Sequence, residues 1–448
     1  MHSATQEPRE LGFWTCTALV IGNTIGIGIF VLPASLAPQG LNALWAWLVT
    51  TVGCCFLAVV FSGLARSFPQ DDGPYAYTHR AFGPAAAFAV LWCYWISCWL
   101  TNAFLAIGAV GYLMPLVPAL ATVPWLPSVT ALSLVWFFVL INLFGVRAAG
   151  GIQLVMTALK LVPQAAVIWF GVWLLYKRPA AYVAHVPPNP FSVHDLLLAS
   201  TTALYAMLGI ECATIPAARV RDPGRTIPRS TLAGTLITAF IYLCISAIPI
   251  LLVPQAELAT SSAPFADLIA HYVGPQYGRL LAVCVVISAL GALNGWTLLT
   301  GELTQTFSRH GTLPALLGAE NSHAAPTYAF LLTGVLASVM LLANYTQSTA
   351  GIYTFFSQMV TAANLPLYVA CSLAVLVLWK RGERARPGAR ELVWLGGAAL
   401  ATLYCLWVVI GTDTASLRWA VGLGASGVLV YGGAFWVRRR RRPLSEIS

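Results

Sequence analysis

Apolar runs alternate with short polar or proline-rich connectors along the whole chain. Each run has roughly the 20 residues a helix needs to cross the hydrocarbon of a bilayer. The pattern predicts about twelve spans, over 12–37, 43–66, 85–114, 126–145, 150–176, 196–218, 231–253, 278–307, 326–344, 352–379, 392–411 and 417–437. The first run is too long for a signal-peptide core and no small-residue cleavage site follows it, so it is expected to be retained as a span. Between the second and third spans, RSFPQDDGPYAYTHRAFGP (66–84) is polar and aromatic, the composition of an interfacial or re-entrant segment that could move as a gate.

Two spans break the pattern. The first carries GNTIGIGIF, with Gly22, Gly26 and Gly28 where a helix needs side chains. The sixth carries YAMLGIECATIP, with Gly209 at its centre and Pro216 below. Gly22-x-x-x-Gly26 taken alone reads more readily as a small-residue packing face. A matching interruption five spans later reverses that reading. Spans one to five and six to ten then form copies related by inversion, with broken helices paired at the membrane midplane and backbone groups free for a ligand. The fold class expected is an all-α membrane protein of about twelve helices, with a five-plus-five inverted repeat and two C-terminal helices. A single transport domain is divided into a first repeat at 12–176, a second at 196–379, two further helices at 392–437 and a basic tail at 438–448.

Composition agrees with a bilayer protein, at 58% hydrophobic and 9% charged residues and a mean hydropathy of +0.77, which excludes an ordinary soluble domain. The net charge of +9 does not point to nucleic acid, because the basic residues follow a topology rule. With the amino terminus cytoplasmic, Arg9, Arg66, Arg80, Arg147, Arg219, Arg221, Arg225, Arg229, Arg309, Lys380, Arg381, Arg384, Arg386, Arg390 and Arg438 to Arg442 fall on the inner side. Lys177, Arg178, Arg279 and Arg418 fall opposite. This predicts both termini inside an inner, plasma-type membrane, with the arginine run meeting anionic lipid. The ten cysteines all lie in spans and lack metal-ligand spacing, so neither disulfides, metal nor cofactor is expected. H-E-x-x-H and G-x-S-x-G are absent from the sequence, and an enzyme is not expected.

Three ionisable residues fall inside spans: Lys160 near mid-depth of the fifth, Glu211 just below the break in the sixth, and Glu302 in the inner half of the eighth. Intramembrane charges are costly and mark pathways. A functional role outweighs a structural ion pair for Lys160 and Glu211, and the two weigh equally for Glu302. Trp296, Tyr205 and Asn102 stand at similar depth, where an exposed ring face and an amide could hold a cationic ligand.

These segments resemble the amino acid, polyamine and organocation transporters, most nearly the arginine/agmatine antiporter group. The resemblance is carried by GNTIGIGIFVLPASLA, GPYAYTHRAFGP, YWISCWLTN, LGIECAT with RDPGRTIPRS, SAPFAD and NGWTLL. It implies that Gly26, Ile27 and Gly28 face a substrate carboxylate, a helix-terminus anion site, and that carbonyls of Thr24, Tyr205 and Leu208 take the amine. Asn23, Asn102, Leu105 and Trp296 would line the pocket, Tyr205 would close it from outside, Tyr94 and Glu211 would gate the cytoplasmic side, and Tyr75 would serve the pH response. Four departures stand out. Ile27 replaces a serine and is expected to narrow the pocket, Leu367 replaces a gate tyrosine, Tyr205 replaces a tryptophan lid, and Lys160 is added. Lys160 resembles a lysine of proton-coupled relatives, which makes a proton-coupled importer of neutral amino acids the alternative to an exchanger of cationic amino acids and amines. A channel or a non-transporting sensor ranks below both. The partners implied are a small amino acid or amine and the lipid bilayer, with a homodimer admitted.

Overall fold

A computed structural model describes residues 12–68, 73–144, 146–211, 220–309, 311–323, 325–343, 349–382 and 389–441. They are almost wholly helical, with an isolated bridge pairing Glu320 with Pro326. The principal helices are α1 (Phe13–Thr24), α2 (Gly28–Leu36), α3 (Asn42–Ser67), α4 (Gly73–Phe82), α5 (Pro84–Leu113), α6 (Leu126–Leu143), α7 (Val146–Lys177), α8 (Val193–Ala206), α9 (Pro223–Leu252), α10 (Pro264–Tyr272), α11 (Pro275–Arg309), α12 (Thr327–Ala343), α13 (Thr349–Lys380), α14 (Ala389–Ile410) and α15 (Thr414–Arg441). Eight of the described helices are long and apolar enough to cross a membrane. Shorter apolar helices include the two halves of the interrupted first span and Thr327–Ala343.

The outer faces are what a bilayer requires. Val129, Phe137 and Leu140 on α6, Trp169 and Val172 on α7, and Leu236 and Phe240 on α9 are all exposed. Facing water, such a continuous apolar surface would be untenable; facing lipid, it is the solvated state. The protein is an integral membrane protein. Burial is graded across the bundle. Of the apolar window of α5, 89% is buried, against 28% for α6, so α5 runs through the middle and α6 along the edge.

Both predicted interruptions are present. α1 stops at Thr24, Ile25 is extended, and α2 restarts at Gly28. α8 stops at Ala206, and Gly209 takes a φ of +105°, a conformation that costs a residue with a side chain and is open to glycine. The lower half of the sixth span, from Cys212 with Pro216, lies outside the described residues, as does the end of the basic tail. The interfacial segment folds as α4, a short helix packed on α5 and α13.

Candidate functional site

The end of α1 leaves backbone carbonyls without intrahelical partners, as any helix C-terminus does. Here two side chains meet them. Lys160 Nζ donates to the Gly22 carbonyl at 3.2 Å from α7, and Tyr242 Oη donates to the Thr24 carbonyl at 3.0 Å from α9. Lys160 is 2% exposed, and its charge sits where the helix dipole favours a cation. Across the break, the Phe30 N–H donates to the Ile27 carbonyl at 2.9 Å, and the N–H groups of Gly28 and Ile29 ahead of it stand at the helix N-terminus, the kind of end that attracts an anion. Carbonyls and amides of opposite polarity are thus presented side by side at the break.

A cavity opens between the two breaks. Thr24, Gly26, Gly28, Leu105, Tyr205, Leu208 and Trp296 line it, together with Ile29, Thr101 and Ala206. The space in it is about 20 Å³, room for a water and too little for an amino acid as the side chains stand. Tyr205 forms one wall. The ring packs on Phe104 with centroids 4.4 Å apart, and a Cβ at Gly28 would stand 2.8 Å from its Cε1. Only a glycine at 28 lets the ring lie there. Above it, Tyr112 Oη donates to the Phe30 carbonyl at 2.7 Å, and Phe265 of α10 packs edge-on against Phe30.

Beyond the break in the sixth span lies a hydrogen-bonded cluster centred on Glu211. Glu211 is fully buried. Its Oε1 accepts from Tyr94 Oη at 3.1 Å, and its Oε2 accepts from Tyr368 Oη at 2.8 Å and from the Gly209 N–H at 3.2 Å. Three helical segments therefore meet on one carboxylate. Leu367 makes none of these bonds; the second phenol on the carboxylate belongs to Tyr368, the next residue on α13.

Four further expectations differ from the structure. Ile27 does not narrow the cavity. It is fully buried away from the lining, and its Cγ1 lies 2.7 Å from where a Cβ on Gly108 would be, so the side chain fills a notch in α5. Gly108→Ala is accordingly expected to lower the melting temperature by an overpacking cost of about 1–3 kcal/mol. Ile27→Ala combined with it should restore most of that loss, a coupling that a thermal double-mutant cycle measures. Asn102 does not line the cavity either. Its Oδ1 accepts from Thr297 Oγ1 at 3.2 Å and its Nδ2 donates to Thr300 Oγ1 at 3.3 Å, which ties α5 to α11 behind Trp296. Glu302 lies on an exposed face of α11, apart from both cavity and cluster. Tyr75 is half-buried on α4 beside His79, with ring centroids 5.7 Å apart, in neither of them. The Asn23 side chain lies outside the described residues. Sequence reasoning missed Thr101, Tyr242 and Tyr368; for the last, a tyrosine one position from the one sought was the available signal.

A helical membrane protein with two interrupted spans and a cavity between the breaks has the architecture of a carrier. The chain belongs to the amino acid permease family, whose model matches residues 11–430. It is therefore an amino acid transporter and not an enzyme. It is 29% identical to the cadaverine/lysine antiporter of Escherichia coli over 348 residues, 77% of each chain. It is 28% identical to the putrescine transporter PotE of the same organism over 387 residues, 86% of this chain and 87% of the relative. With the putrescine transporter PotE of Haemophilus influenzae it shares 25% identity over 424 residues.

Proposed function

We propose that the protein exchanges cationic amino acids and their amines across an inner membrane by alternating access. The observation that carries this reading is the cavity between the two breaks, with the start of α2 on one side, the Thr24 backbone on the other and the Trp296 ring as a wall. A substrate carboxylate would rest on the amides around Gly26 to Gly28 and its amine on the carbonyls of Thr24, Tyr205 and Leu208. Its distal cation would rest on the Trp296 face. The names of the relatives, a cadaverine/lysine antiporter and putrescine transporters, favour lysine-type substrates and diamines. Tyr205 forms the outer gate and Tyr94, Glu211 and Tyr368 the inner one. The frame is twelve spans, with repeats at 12–176 and 196–379, an added pair at 392–437, and both termini cytoplasmic.

Binding to purified protein tests the site. Lysine or cadaverine should bind saturably, and Trp296→Leu should weaken binding roughly tenfold or more, the scale of a desolvated cation–π contact. Calorimetry that finds equal affinity in the two proteins would remove Trp296 from the site.

A second reading is favoured by one observation, the Lys160 contact with the Gly22 carbonyl. Under it the protein imports neutral amino acids with a proton carried by Lys160. Uptake into empty liposomes, driven by a pH gradient alone, separates it from obligatory exchange.

A further inference from the structure

One buried polar group is used by neither the cavity nor the gate. Asn364 of α13 is 1% exposed, and neither its Oδ1 nor its Nδ2 has a hydrogen-bond partner. A carboxamide buried without partners is costly and rare. Helical serines and threonines around it satisfy themselves on backbone carbonyls, as Thr361 does on Ser357 and Ser372 on Tyr368; Asn364 does not.

Its position is fixed from both sides. Three residues earlier, Thr361 Oγ1 donates to the Thr201 carbonyl on α8 at 3.3 Å. Four residues later, Tyr368 donates to Glu211. Positions three and four apart share a helix face, so Asn364 faces the part of the sixth span between Thr201 and Glu211. That interval contains the break, and its Tyr205, Ala206 and Leu208 line the cavity. Pro366 adds a second polar feature at this level, because it has no N–H to offer the Ala362 carbonyl. Asn364 therefore lies one helical turn on the cavity side of the Tyr368 gate.

We propose that Asn364 is a substrate station between the cavity and the cytoplasmic gate, where Oδ1 accepts a hydrogen bond from the distal ammonium or guanidinium group of a passing substrate. The proposal rests on the reading that the substrates are cationic amino acids and amines, and it makes Asn364 a determinant of that preference. A cationic head offers N–H donors to the carboxamide oxygen; an aliphatic side chain leaves it unpaired, which disfavours neutral substrates.

The test compares wild type, Asn364→Leu and Asn364→Ser in oriented proteoliposomes, with labelled lysine and cadaverine presented from the cytoplasmic face and melting temperature measured in parallel. Asn364→Leu should raise KM for both substrates about ten- to hundredfold, the worth of one hydrogen bond to a charged group. Its melting temperature should stay level or rise, because an unpaired amide gives way to an apolar group of similar size. Asn364→Ser keeps a hydroxyl acceptor and should retain most of the wild-type affinity. An unchanged KM in Asn364→Leu, or KM and melting temperature worsening together in both variants, overturns the proposal. A wild type that exchanges neither substrate overturns the reading beneath it instead.

Discussion

Lys160→Ala is expected to abolish transport and to lower stability by about 2–4 kcal/mol, combining an unpaired buried carbonyl with a cavity left by lost methylenes. Lys160 holds the Gly22 carbonyl two residues before α1 ends. Without the amine, that carbonyl faces a low-dielectric interior with no donor, and the cheapest repair is for α1 to resume hydrogen bonding through Ile25 and Gly26. Closing the break in this way removes the surface that would receive the substrate. Lys160→Met separates the two contributions, since it restores packing without the donor. It should recover much of the melting temperature and none of the transport. Transport at the wild-type rate in Lys160→Met would show that the amine is not needed at the break.

Glu211→Ala is the second large effect. The substitution strips the acceptor from Tyr94, Tyr368 and the Gly209 N–H at once. Hydrogen bonds to a charged group contribute about 1.5–3 kcal/mol each, and only part of that sum is specific to the closed gate. A loss of about 3–4 kcal/mol there changes the ratio of closed to open molecules by roughly two to three orders of magnitude. The cytoplasmic side should then stand open. Cys98, fully buried and one turn above Tyr94 on α5, is the natural reporter. With the other cysteines replaced, it should react with a charged methanethiosulfonate from the cytoplasmic face in Glu211→Ala and be protected in the parent. Equal protection in both would mean that the three bonds do not hold this side shut.

Span positions were legible in the sequence to within a few residues because bilayer thickness sets a length. The predicted 126–145 and 278–307 correspond to Leu126–Leu143 and Pro275–Arg309. Both breaks were legible because glycine clusters inside an apolar run conflict with helix formation. Proximity to the breaks was legible as well: Lys160 contacts the end of α1, Tyr205 and Trp296 line the cavity, and Glu211 accepts from the Gly209 N–H. Azimuth was not. A rise of 1.5 Å per residue gives the level of Asn102, while its rotation toward Thr297 and Thr300 depends on how α5 packs on α11. The same limit applies to Ile27, whose side chain is accepted by a notch at Gly108 on a distant part of the chain. Tyr368 was missed because the register counted from Pro366 falls on Leu367, and the phenol on the carboxylate is one residue further along. Asn364 carried no signal in the sequence at all, since an asparagine in an apolar run reads like any hydrogen-bonded core residue until its partners are sought.

The central claim is exchange through one alternately exposed midplane site. Its most direct test is counterflow: proteoliposomes loaded with unlabelled lysine or arginine, diluted into labelled lysine, cadaverine or putrescine. The account predicts labelled uptake that depends on internal substrate, saturates, and disappears in Lys160→Met. Uptake that is indifferent to the internal load, or no uptake of any cationic amino acid or amine under any gradient, would contradict it.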